Sequence, residues 1–135
     1  MRSISVLLYL IGAALGGSAA VAGDMNAECP GILKEEVLKP GRPVAGWVTV
    51  PSQQHLMGAG MLAGAPETET YLVPDKTTKN SQTFEFAKDG GQRWLWCGYG
   101  GLRLAKRLDD RSTSCTITTR RKQPENNMQA RVQCE

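Results

Sequence analysis

Ser114-Cys115-Thr116-Ile117-Thr118-Thr119-Arg120-Arg121 and Met128-Gln129-Ala130-Arg131-Val132-Gln133-Cys134, separated by Lys122-Gln123-Pro124-Glu125-Asn126-Asn127, decide the fold. Both runs alternate in side-chain character with the period of a strand. Folded back as a hairpin with Cys115 opposite Cys134, they pair Ile117 with Val132, Thr119 with Ala130 and Arg121 with Met128 on one mostly apolar face. Thr116 with Gln133, Thr118 with Arg131 and Arg120 with Gln129 then form a wholly polar face. A slip of one residue would scramble that division. Cysteines opposite each other in a non-hydrogen-bonded pair are near enough to bridge. The register therefore predicts a Cys115–Cys134 disulfide, which leaves Cys29 with Cys97. By loop-closure entropy the short loop contributes about 3 kcal/mol and the long one about 4. Both are large beside the roughly 5–15 kcal/mol that holds a typical domain together.

Reading four cysteines as two disulfides requires an oxidising compartment, and the N-terminus predicts one. Arg2 opens a short positive region, residues 4–15 form an apolar run without charge, and Ala20-Val21-Ala22 is a small-x-small exit. That is the pattern of a cleaved secretory signal peptide over residues 1–22. The apolar run falls short of the roughly 20 residues a membrane helix needs. Cys29 follows Asn26-Ala27-Glu28, which is no lipid-attachment sequence. A soluble mature chain over residues 23–135 is expected, one domain located in the periplasm with no stable membrane anchor after cleavage. No C-x-x-C spacing suggests a metal site, and no cofactor motif is present.

Without Arg2 the mature chain carries a net charge of +2, too small a balance to suggest nucleic acid as a partner. The charge is uneven. Residues 23–91 hold six basic and nine acidic side chains, and residues 92–135 hold nine basic and four acidic. Such asymmetry can steer a protein to an acidic surface, although solvated strand faces would look the same.

Outward from the hairpin the pattern stays mainly β. A short helical turn is expected over residues 27–38, stopped by Lys39-Pro40-Gly41-Arg42-Pro43. Strands are expected over 44–50, over 56–62 (weakened by Gly58 and Gly60) and over 82–87. Residues 66–80 read as a long polar loop with an ordered piece at Tyr71-Leu72-Val73. Strands over 93–99 and 102–108 flank Gly100-Gly101, a two-residue hairpin loop. The expected fold is a small antiparallel meander sheet, or a partly open barrel or sandwich, carrying a short N-terminal helical turn and two disulfides.

Candidate binding residues come from two places. If Cys97 faces inward to bridge, Trp94 and Trp96 must point to the opposite face. The hairpin sets Trp96 opposite Ala105 and Trp94 opposite Arg107, with Arg103 alongside. Trp and Arg are typical interface anchors, so Trp94, Trp96, Arg103 and Arg107 form a candidate contact face unless another layer covers them. Glu67, Glu69 and Asp75 in the long loop could enter a basic cleft of a partner, or simply be a solvated loop. Catalytic residues are not expected. His55 is the only histidine, and neither a G-x-S-x-G elbow nor a free thiol accompanies it.

Glu28-Cys29-Pro30, Leu72-Val73-Pro74, Trp94-Leu95-Trp96-Cys97-Gly98-Tyr99-Gly100-Gly101 and the spacing of Cys115 and Cys134 resemble a family of small, exported Gram-negative proteins of unassigned activity. Together these pieces span about half the mature chain. The resemblance implies a periplasmic protein, and it extends to type VI secretion immunity proteins that neutralise cell-wall-degrading toxins. The segment around Cys97 is also similar to periplasmic lysozyme inhibitors, which are small disulfide-containing β-barrels. Both likenesses imply a binder of an envelope or toxin protein, with a peptidoglycan-degrading enzyme as the suspected partner. The alternatives are a scaffold protein of the envelope and a small periplasmic hydrolase.

Overall fold

The computed structural model describes residues 23–34, 44–48 and 53–135. The expected signal peptide over 1–22 lies outside these residues. Strands β1 (Asn26–Glu28), β2 (Ile32–Leu33), β3 (Gln54–His55), β4 (Gly58–Ala63), β5 (Lys76–Thr77), β6 (Ser81–Glu85), β7 (Arg93–Tyr99), β8 (Leu102–Arg107), β9 (Ser114–Lys122) and β10 (Asn127–Cys134) pair antiparallel throughout. They form a five-stranded sheet in the order β1-β10-β9-β6-β5, a three-stranded sheet β4-β7-β8 and a small β2-β3 pair.

The β9–β10 hairpin has the register its alternation demands: Cys115 faces Cys134, Ile117 faces Val132 and Thr119 faces Ala130. Cys115, Ile117, Ala130 and Val132 are each at most 1% exposed, so the apolar face turns into the core. Met61, Leu95, Cys97 and Tyr99 of the three-stranded sheet meet that face in one buried cluster. The two sheets therefore pack as an open sandwich. Both disulfides join as expected, and no cysteine is free. Cys115–Cys134 ties neighbouring strands within the large sheet. Cys29–Cys97 ties the chain just after β1 to the middle of β7, and so staples the two sheets together.

Three expectations need correction. Residues 27–34 carry strands β1 and β2 rather than a helical turn, because Ala27 pairs with Val132 and Ile32 with His55; residues 35–38 lie outside the described part. Residues 44–48 form a turn closed by the Trp47 N–H donating to the Val44 carbonyl, not the first part of a strand; residues 49 and 50 again lie outside. The chain is also not a simple meander. Strand β6 pairs with β9, and the β7–β8 hairpin leaves for the other sheet in between.

Among the described residues two charged side chains are buried, Arg93 and Asp109, and Arg93 has no exposed surface at all. Its alternation partners on β7 are Leu95, Cys97 and Tyr99, so it must point inward. Its guanidinium donates to the carbonyls of Gly91 (2.6 Å), Asp110 (2.5 Å) and Ala87 (2.7 Å), and lies 4.6 Å from the Phe86 ring centroid. Burial pulls its pKa down, while Asp110 and Asp109 push it back up. The buried cation thus pins the turn before β7 to the turn after β8.

Asp109 stands beside that turn. Its carboxylate accepts the Arg111 backbone N–H (2.8 Å), Nε (3.0 Å) and a terminal guanidinium N–H (2.7 Å). These bonds from Arg111, side chain first, hold its pKa down at about 2, from an ordinary value of 3.8. A carboxyl depressed on folding contributes stability above its unfolded pKa and loses it as pH falls through the folded value. Its contribution should thus be full above about pH 4 and should disappear toward pH 2. Urea midpoints measured from pH 6 to pH 2 should fall more steeply for the wild type than for Asp109→Asn. Parallel curves would refute this role.

Candidate functional site

The outer face of the three-stranded sheet carries Gly58, Gly60 and Leu62 on β4, Trp94, Trp96 and Gly98 on β7, and Arg103, Ala105 and Arg107 on β8. Cross-strand pairing sets Gly60 beside Trp96, and Trp96 beside Ala105. The Trp96 indole lies over a floor of backbone. A Cβ on Gly60 would sit 2.5–2.8 Å from indole atoms, one on Gly98 3.1 Å away and one on Gly58 3.8 Å away. Glycine inside a strand often marks a close approach, and here what approaches is the indole.

Tyr71 closes the next side. The chain makes a short 3-10 turn over Pro66–Thr68, and Glu69 then takes a left-handed conformation at φ 50°. Few non-glycine residues adopt that conformation. It returns the backbone to the edge of β4, where Tyr71 bridges Leu62 and the Leu72 N–H donates to the Met61 carbonyl at 3.0 Å. Tyr71 meets Trp96 edge-on with centroids 5.9 Å apart, a favourable aromatic geometry. Arg103 lies 4.9 Å from the Tyr71 ring and 5.4 Å from that of Trp96, and its guanidinium donates to the Tyr71 hydroxyl. A cation over two aromatic faces is held by their quadrupoles.

Beside this cluster opens a groove of about 450 Å³, with Trp96, Tyr71, Arg103, Glu69, Pro66 and Leu62 among its walls. The structure thus joins residues that the sequence left in two separate candidates: Trp96 and Arg103 from the sheet face, and Glu69 from the acidic loop. Trp94 and Arg107 continue along the same face. The Trp94 Nε1–H donates to the Gln92 side chain (3.0 Å), and Arg107 stacks 6.0 Å from the Trp94 ring while pairing with Asp110 at 2.8 Å. Glu67 is exposed on the turn above the groove. Asp75 is differently placed: its carboxylate accepts the Glu85 N–H at 2.7 Å and anchors the loop to the end of β6. His55 is exposed on β3 and lines no part of the groove. Among the described residues no group of three His, Cys, Asp or Glu side chains could hold a metal ion. No described helix is long and apolar enough to cross a membrane.

Tyr71 and the glycine floor were missed in the sequence. The signal for the floor was present: Gly58 and Gly60 in an otherwise apolar strand, read as weakness, are the space the indole fills. Gly60→Ala tests this directly. The near-UV circular dichroism of the tryptophans should change, because the indole must leave its seat. An unchanged spectrum would show that the floor has slack.

Residues 51–135, which include β3 to β10 and every groove residue, match the family described as type VI secretion system Tli immunity protein. The chain belongs to this family. Neither a curated protein nor a solved structure matches it. Membership of this family implies a partner toxin or effector that the chain binds, and immunity proteins of this kind are typically non-enzymatic.

Proposed function

We propose that this immunity protein is exported to the periplasm and there neutralises a toxin that attacks the envelope, most specifically a peptidoglycan-degrading enzyme, by seating part of it against the Trp96 groove. The observation that carries the reading is the Trp96–Tyr71–Arg103 cluster, prebuilt on a glycine floor within the family-matched segment. Interfaces draw most of their energy from such aromatic and arginine anchors. Two disulfides on a sandwich core keep the cluster in place, so little ordering entropy is lost on binding. Trp94, Arg107 and Glu67 flank the contact, Glu69 supplies a carboxylate at its wall, and Asp75 serves by holding the loop.

The test is a titration. The cognate effector, captured on the tagged mature protein, is purified and assayed on peptidoglycan sacculi and, separately, on phospholipid vesicles. Stoichiometric loss of sacculus digestion supports the proposal. Inhibition confined to vesicle hydrolysis would keep the immunity role and overturn the peptidoglycan target; no inhibition on either would overturn both. Export is checked by N-terminal sequencing of the periplasmic fraction, expected to begin near Gly23. A chain retaining Met1 or Arg2 would refute it.

A further inference from the structure

The groove is bounded on one side by a sheet edge. Among the described residues strand β8 is the last strand of its sheet, and only β7 pairs with it. In a hairpin with a two-residue loop the pair next to the loop, Tyr99 and Leu102, is hydrogen-bonded, and bonded pairs then alternate. Arg103, Ala105 and Arg107 therefore turn their backbone N–H and C=O groups away from β7. Among the described residues no backbone partner meets them, and Arg103 and Ala105 are exposed. Just past the strand, Asp24 bridges Leu108 in a parallel sense and its carbonyl accepts the Asp109 N–H at 3.2 Å. The chain's own N-terminal part thus occupies the end of this edge, and among the described residues no other backbone covers residues 102–107 on that side.

We propose that the toxin docks by strand addition: an extended segment with an acidic side chain between apolar ones pairs with the free edge of β8. This rests on the groove reading above and adds how the partner is held. The alternation follows from the two sides of β8. Leu102 and Leu104 are half-buried against the core, so the added strand continues their apolar layer. On the other side stand Arg103 and Arg107, and Arg103 has no carboxylate partner among the described residues. Arg107 already pairs with Asp110, so it is an acidic side chain opposite Arg103 that completes the face. For a second copy of this chain, antiparallel self-pairing about Ala105 would set Arg103 opposite Arg107 twice, and like charges directly opposite are destabilising, so that register is disfavoured.

Ala105→Pro is the test. Proline deletes an N–H that points outward, sacrifices no bond to β7, and is tolerated on edge strands. Binding of the catalytically inactivated cognate effector should weaken tenfold or more, and the Arg103, Ala105 and Arg107 amides of the wild type should become protected from hydrogen exchange in the complex. If Trp96→Ala weakens binding while Ala105→Pro does not, and the three amides exchange as in the free protein, strand addition is wrong and the groove reading stands. If neither variant weakens binding, the groove reading falls and takes strand addition with it. If Ala105→Pro lowers the melting temperature, the amide exchange of the wild-type complex decides alone. Without effector, a wild-type dimer in light scattering that is lost in the Ala105→Pro variant would assign the edge to a second copy and overturn the proposal.

Discussion

Arg93→Met should cost this protein about 2 kcal/mol of folding stability, a large effect for a change that keeps the side-chain volume. Methionine fills similar volume, so packing alone is a small part of the loss. The main part is polar. The guanidinium is fully buried and serves the carbonyls of Gly91, Ala87 and Asp110. Ala87 keeps a second donor in the Gly90 N–H, but no other donor among the described residues reaches the Gly91 and Asp110 carbonyls. Gly91 is exposed and Asp110 half-buried, so water can take over at Gly91, and the acceptor left without a donor at Asp110 costs about 1–3 kcal/mol. The attraction to Phe86 disappears as well. Arg93→Lys keeps the charge but not the planar fork, and should recover only part of the loss. Urea denaturation of the oxidised protein measures both. A change within about 0.5 kcal/mol for Arg93→Met, the range of an ordinary surface substitution, would contradict the role given to this residue.

The second large effect is on binding. Trp96→Ala should weaken the effector complex about thirtyfold or more, since truncating a central anchor typically costs about 2 kcal/mol or more. The indole forms the wall shared by Tyr71 and Arg103, so its removal also frees Arg103 and opens the glycine floor. Stability should change much less, because Trp96 is on the outer face and contributes nothing to the buried cluster between the sheets. Isothermal titration with inactivated effector, paired with a melting curve, separates the two effects. Loss of affinity that merely tracks a loss of folding would argue against a contact role.

Much of the architecture was readable before the structure, and the reason is periodicity. In the β9–β10 hairpin the apolar alternation and the two cysteines impose one register, and the β7–β8 pairing follows from Gly100-Gly101. The outward turn of Trp94 and Trp96 follows from Cys97 facing in. What alternation does not carry is the identity of a strand's neighbour. Residues 82–87 show which face is buried, yet nothing local says that β6 pairs with β9 across an intervening hairpin. The error over residues 27–34 has a similar origin: β1 holds its shape through long-range pairing with β10. At the site, Trp96, Arg103 and Glu69 were each legible as residue types. Their meeting in one groove depends on the left-handed turn at Glu69 and on Tyr71, and no pattern in the sequence announces either.

The central claim is that the Trp96 groove disarms an envelope toxin. It is tested most directly by protection of living cells in which the cognate effector is directed to the periplasm. Survival is measured with co-expressed wild-type protein, with Trp96→Ala, and with Arg120→Glu, a charge reversal near the far tip of the β9–β10 hairpin, with periplasmic levels matched by immunoblot. Wild type and Arg120→Glu should protect, and Trp96→Ala should fail to protect at an equal level of folded protein. Full protection by Trp96→Ala, or its loss in Arg120→Glu alone, would contradict the account and move the contact away from the groove.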